Sequence, residues 1–202
     1  MSRWLRQVSI MAALWLVPAL ASAQQETWPP GLRPDVLAAL NAELERADAA
    51  RLPGRPLVLK ALEGRSKGAS DQQILQAVVA LRDRLEVAAT VFGHERGEDI
   101  LVAAAGALQA GVTRKALDTM AEGTRVDALD MALVVIGDLI RRGVPVQTAT
   151  HAVLTLGEAG VDARTFGDFR RHVDDDIRAG LAPERAAEVR LRGVLGRGGG
   201  GP

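Results

Sequence analysis

The chain has no cysteine at any of its 202 positions. That excludes disulfides, thiolate metal sites, cysteine nucleophiles and a lipidated cysteine near the N-terminus. Aromatic residues make up only 3%, and beyond residue 23 they reduce to Trp28, Phe92, Phe166 and Phe169. A carbohydrate-binding or base-stacking surface uses more aromatic planes than that. Charge of one sign is missing too: 25 basic residues balance 25 acidic ones, and the basic residues are scattered. No electrostatic footprint for nucleic acid results. What is present is apolar, at 48% of residues, enough to build a core that must supply the stability by itself.

The N-terminus has the pattern of an export signal. Arg3 and Arg6 precede a mostly apolar run from Val8 to Leu20, and Ala21-Ser22-Ala23 provides small residues for cleavage. The run is too short for a comfortable membrane span of about 20 apolar residues. Residues 1–23 are therefore expected to be a signal peptide. The mature chain would then be exported to the periplasm or beyond, with no remaining membrane span and a net charge of about −2. Residues 24–33, with Pro29-Pro30-Gly31, read as an exposed lead-in, and the glycine-rich residues 196–202 as a flexible tail.

Between them, residues 34–195 read as an all-α domain of about eight or nine helices. The pattern suits a compact antiparallel bundle or a short solenoid of helical hairpins. Alanine and leucine dominate and no strand-like alternation persists. The clearest helix starts at Ser70, where Gln73 completes a capping box. Ile74, Val78, Leu81, Leu85, Ala88 and Phe92 then form a continuous apolar seam that Gly93 ends. A second long helix is expected from near Thr124, with Asp127 in its first turn and Leu129, Leu133, Ile136 and Ile140 on one face, closed by Arg141-Arg142-Gly143. Shorter helices are expected near 34–50, 54–66, 98–110, 113–122, 145–158, 162–179 and 183–195.

The junctions share one pattern. In Gly68-Ala69-Ser70, Gly111-Val112-Thr113, Gly143-Val144-Pro145, Gly160-Val161-Asp162 and Gly180-Leu181-Ala182-Pro183, glycine stops a helix. An apolar or small residue then turns inward, and a capping residue or proline starts the next helix. Leu52-Pro53, Leu62 and Gly68-Ala69-Ser70 also match Val144-Pro145, Leu154 and Gly160-Val161-Asp162 at the same spacing. The offset suggests two related halves, about 34–110 and 111–195, although shared turn chemistry alone accounts for so short a match.

Three constellations are candidates for chemistry. Glu63-Gly64-Arg65-Ser66-Lys67-Gly68-Ala69-Ser70 has glycines, a lysine and a serine. A phosphate loop, however, needs its lysine after the second glycine and a strand before the first. A helix turn explains these residues better. Glu63 and Lys67 form an i,i+4 pair, Gly68 caps and Ser70 restarts. Gly64 does not fit that scheme, since in the last turn it costs about 1 kcal/mol relative to alanine. A neighbouring helix or a ligand must come close there. Asp168, His172 and Asp176 form a helical stripe that could hold a metal, but Phe166, Phe169, Val173 and Ile177 make that stripe the solvent side. Arg170–Asp174 and Arg171–Asp175 stand ready as i,i+4 pairs. His151 lacks the nucleophile and buried carboxylate that a catalytic histidine needs and is expected to be a partly buried structural residue. No G-x-S-x-G, H-E-x-x-H or S-x-x-K motif occurs.

Pro53, KALEGRSKGAS, Ile74 and the helix carrying Leu81 and Leu85 resemble an uncharacterised group of exported bacterial all-helical proteins. That group has an E-G-x-x-K-G turn after a short helix. The resemblance covers about residues 50–92 and implies an exported helical protein, with no activity, cofactor or catalytic residue to carry over. The expectation is thus an exported, non-catalytic interaction or scaffold module of the cell envelope, without cofactor, whose partner is a protein or another envelope component. A carrier of an apolar small molecule or lipid between its helices is the alternative, and an enzyme ranks third.

Overall fold

The computed structural model describes residues 27–198, so the expected signal peptide lies outside the described residues. Among these the chain forms nine α-helices and no strand. They are α1 (Pro34–Ala49), α2 (Arg55–Ser66), α3 (Asp71–Phe92), α4 (Glu98–Gln109), α5 (Arg114–Gly123), α6 (Leu129–Arg141), α7 (Val146–Glu158), α8 (Ala163–Arg178) and α9 (Pro183–Gly198). The all-α reading is correct.

The five junctions have one backbone geometry. At the first, the Gly68 N–H donates to the Arg65 carbonyl and the Ala69 N–H to the Gly64 carbonyl, both at 3.0 Å. This is the Schellman closure, which satisfies two of the carbonyls left over at a helix end. The same pair of bonds recurs at Gly111-Val112, Gly143-Val144, Gly160-Val161 and Gly180-Leu181. The residue after the glycine turns inward at four of the five junctions: Val112 and Val144 are buried, and Ala69 and Val161 pack against the core. Leu181, ahead of α9, is exposed. The next helix starts on Ser70, Thr113 or Asp162, each accepting a backbone N–H in its first turn, or on a proline.

A sixth closure was not legible as glycine grammar. Arg51 N–H donates to Asp48 and Leu52 N–H to Ala47, so Arg51 takes the left-handed position at φ 54°.

The packing resolves the bundle-or-solenoid question. α1 packs on α3, α3 on α5, α5 on α7 and α7 on α9, while α4 packs on α6 and α6 on α8. Odd-numbered helices thus build one layer, and α4, α6 and α8 the other. The layers are joined through α2–α3, α3–α4, α6–α7 and α8–α9. This is the staggered arrangement of a short helical solenoid. One buried cluster runs through it from Val36 to Leu191, with no break near residue 110. Phe166 and Phe169 are among its largest fully buried side chains. Of the segments related by the spacing match, α2 packs on α3, whereas α7 packs on α5, α6 and α9 and α8 on α6 and α9.

Three boundaries differ from expectation. The lead-in is not wholly exposed: Pro29 is buried, Trp28 and Leu32 pack against the core, and Trp28 Nε1 donates to Asn41 Oδ1 at 2.7 Å. Apolar bulk on either side of the prolines is the physical reason. The second long helix starts later than expected, because Thr124 and Arg125 are extended and a single 3-10 turn, Val126–Ala128, precedes α6. Asp127 there pairs with Arg125 at 2.7 Å in place of capping a first turn. At the other end, Gly196 and the next two residues continue α9.

Candidate functional site

The turn from Glu63 to Ser70 is built as helix chemistry. Lys67 donates to Glu63, as their one-turn spacing requires, and Lys60 adds a second bond at 2.9 Å. The lysine bonds, Lys67 first, hold the Glu63 carboxyl down at about 2. Ser70 and Gln73 complete the capping box, with Gln73 N–H donating to Ser70 Oγ at 3.3 Å and Ser70 N–H to Gln73 Oε1 at 2.9 Å. Lys67 is therefore drawn back along its own helix and not over the glycines. The neighbour that explains Gly64 is Ile74 of α3, which lies against the bare α-carbon. Next to it, Asp71 accepts from the Arg33 backbone N–H at 2.8 Å and from Arg65 Nη2 at 2.9 Å. Led by the Arg33 bond, these lower its pKa and pin the lead-in and the end of α2 to the start of α3.

On α8 the stripe of Asp168, His172 and Asp176 is occupied by arginines. Arg190 of α9 grips Asp176 with both arms, Nε to Oδ2 at 2.6 Å, and this bond holds the Asp176 carboxyl below its usual range. Asp168 accepts from Arg171, and His172 is exposed. No group of three or more metal-ligating side chains forms among the described residues. The expected local pairs Arg170–Asp174 and Arg171–Asp175 are replaced. Arg170 reaches Asp138 of α6 at 2.6 Å, and Arg142, just past α6, reaches Asp174 at 2.9 Å. Asp174 and Asp175 accept from Arg178 instead. Packing of α6 on α8 gives Arg170 and Asp174 partners across the interface, while Arg171 and Asp175 pair within α8 with Asp168 and Arg178.

Beside these pairs, between α6 and α8, lies a cleft of about 620 Å³, which local spacing in the sequence does not show. Five arginines line it: Arg141, Arg142, Arg170, Arg171 and Arg178, against Asp138 and Asp174. Burial works against the Asp138 charge, but bonds from Arg170 and Arg141 outweigh it and lower its pKa. The only prior signal was the density of arginine in RR at 141–142 and FRR at 169–171.

Further recesses stand apart, and two of them hold histidines named above. One of about 490 Å³ lies between α8 and α9, with Val161, Phe169, Val189 and Val194 as its apolar wall and His172 and Arg190 at its edge. The other, of about 410 Å³, lies along α7 and includes His151 with Thr113, Thr150 and Leu154. His151 is exposed, not partly buried, because the buried face of α7 is taken by Ala149, Ala152, Val153 and Leu156. No described helix is long and apolar enough to cross a membrane. Compared with known proteins, the chain matches no family model, no curated protein and no solved structure.

Proposed function

We propose that this chain is an exported, non-catalytic interaction or scaffold module of the bacterial cell envelope. The observation that carries the reading is the two-layer array. Helices that pack only on near neighbours leave a broad, continuous outer surface, and repeat arrays use such a surface to hold partners. Several titratable groups on it bridge neighbouring segments, as at Asp71, Asp138, Asp174 and Asp176, which suits a rigid display surface. Export rests on the positive start, apolar run and A-x-A ending of residues 1–23. Intact-cell fractionation with N-terminal sequencing tests that half, and a mature chain starting at Gln24 outside the cytoplasm is expected. A photo-crosslinking residue placed in turn at exposed Leu59, Val102 and Val134 tests the other half. Adjacent positions giving the same crosslinked species supports the module; no product at any position in intact cells counts against it.

The recess between α8 and α9 favours a second reading, a carrier of an apolar small molecule or lipid. Native mass spectrometry of gently purified protein discriminates, since bound lipid supports the carrier and a bare mass does not.

A further inference from the structure

We infer that the outer face of α2, α4 and α6 is the surface through which two copies of this chain pair, with their helices antiparallel. The inference rests on the module reading for the claim that the array's surface holds a partner, and it names one face and one occupant.

The two sides of the array differ in what they show to solvent. On one side α3, α5 and α7 present Gln72, Gln76, Glu86, Lys115, Gln147 and His151, and none of the exposed large apolar side chains lies on these helices. On the other side Leu59 and Leu62 of α2, Val102 of α4 and Val134 of α6 are all exposed. Arg55 reaches Glu98 at 3.7 Å, which sets the starts of α2 and α4 beside each other, and Leu59 and Val102 each lie one turn further on. α4 packs on α6, where Val134 lies one turn beyond Asp130. At Gly106, one turn past Val102, a β-carbon would have nothing within 4 Å, so the middle of the face is open to close approach. Exposed apolar side chains gathered on one side mark a contact surface.

Charge selects the occupant. The chain reverses at each short turn, so α2, α4 and α6 run the same way. At their starts Glu95, Glu98, Asp99, Asp127 and Asp130 stand against Arg55, Arg96 and Arg125, which leaves two negative charges. At their far ends Lys60, Arg65, Lys67, Arg141 and Arg142 stand against Glu63, Asp71 and Asp138, which leaves two positive ones. Neighbours that reach this end from α3 and α8, Asp83 with Arg84 and Asp174 with Arg170, cancel in pairs. A second copy, turned over about an axis that crosses the helices, lays each negative rim on a positive one at both ends at once, as an isologous pair does. Helix dipoles then run in opposition, which also favours the pairing. In that arrangement Val102 seats over Gly106 of the second copy, and Asp130 faces its Arg141. The rims balance, so the face has no surplus of cations to hold it on an anionic membrane. Three helices about 18 Å long, set about 9 Å apart, offer roughly 500 Å² on each copy, the range of reversible pairs.

The test is sedimentation of the full mature chain across a concentration series, where a reversible monomer–dimer equilibrium is expected. Val102→Asp and Gly106→Leu should each weaken the dimer at least about tenfold, as changes at the packed centre of an interface do. Val102 is exposed in the single copy and Gly106 faces open space, so both variants should melt within a few degrees of the wild type under monomeric conditions. Asp130→Arg should also weaken the dimer, and Asp130→Arg/Arg141→Asp should restore it, a rescue that a purely structural role would not give. Gln147→Asp, on the opposite side of the array, should leave the equilibrium unchanged. A chain that stays monomeric up to on the order of 1 mM, a dimer that Val102→Asp and Gly106→Leu leave intact, or a charge reversal without rescue overturns the inference. If the chain is monomeric, a crosslink from Val102 to a different species in cells leaves the module reading standing, and the absence of any crosslink removes both.

Discussion

Gly64 and Ile74 meet so closely across the α2–α3 packing that a β-carbon on residue 64 would stand 2.9 Å from Ile74 Cγ1. Two effects of opposite sign compete in Gly64→Ala. Alanine favours the helix by about 1 kcal/mol, and overpacking a filled interface costs typically about 1–3 kcal/mol. Ile74 is 1% exposed and so has little room to yield. Gly64→Ala should therefore destabilise the chain by about 1 kcal/mol in urea unfolding. In an Ile74→Ala background the clash is gone, and the same change should become stabilising. A substitution that destabilises equally in both backgrounds would remove Ile74 as the reason for the glycine.

Thr124 Oγ1 is buried and has no hydrogen-bond partner, on a residue 7% exposed. A buried hydroxyl left unpaired costs about 1–3 kcal/mol. Thr124 is extended, with φ −96° and ψ 136°, a conformation that β-branched valine adopts readily. Thr124→Val keeps the shape and removes the polar atom, so it should raise stability by about 1 kcal/mol. A lowered urea midpoint would contradict this.

Arg51 holds a left-handed conformation at φ 54° where the five equivalent closures have glycine. A side chain there costs about 1 kcal/mol, partly offset by the extra freedom glycine has when unfolded. Arg51→Gly should stabilise by about 0.5–1 kcal/mol, while Gly68→Arg should do the reverse. Thermal melts of both variants check the pair.

Among the described residues Glu43 is the one buried charged residue. Arg82 Nε donates to it at 2.7 Å across α1 and α3, and Arg46 donates from one turn away. Burial opposes the Arg82 charge, yet the Glu43 bond and the nearby Asp83 and Glu86 raise its pKa on balance. Removing one member of a buried pair strands the other, which costs about 3–5 kcal/mol when burial is complete. Arg46 remains as a partner, so Arg82→Ala should cost about 2–3 kcal/mol by urea unfolding. Glu43→Leu/Arg82→Met should recover part of that loss.

Acid should weaken the fold through a definable set of carboxylates. Glu63, at about 2 against an ordinary 4.5, and Asp71 and Asp138, both lowered from 3.8, bind protons less readily when folded. Their contributions are complete above the unfolded values and are lost as pH falls through the folded ones. Stability should thus hold from neutral pH to about 5 and decline from there toward pH 2. Glu63→Gln should flatten that decline between pH 4.5 and about 2. An unchanged slope in the variant would show that its lysine bonds add nothing to folding.

Helix ends were legible because their causes are local. A capping box at Ser70 and Gln73, or a Gly-x pair such as Gly160-Val161, acts within six residues and appears whole in the sequence. The Glu63–Lys67 pair was legible for the same reason. One helical turn is the distance a sequence displays, which makes Asp174 and Asp175 the expected partners of Arg170 and Arg171. Asp138, thirty-two positions away in sequence, became the partner once α6 settled on α8. The arginine cleft exists only through that packing and could not be read beforehand. The late start of α6 was hidden differently: Thr124 resembles an N-cap, and its burial against Gly157 of α7 holds it extended instead.

The staggering of the layers also bears on how the chain reaches its fold. Every major packing joins helices one or two places apart along the chain. Such short-range topology keeps loop-closure entropy small and goes with fast folding. Order can begin around α3 or around α6 and spread outward, as in repeat arrays where neighbouring units fold onto one another. A chain emerging N-terminus first finds each helix's partners within the next two helices to appear. α1 can dock once α3 has formed, long before α9 is available, so assembly need not wait for the far end.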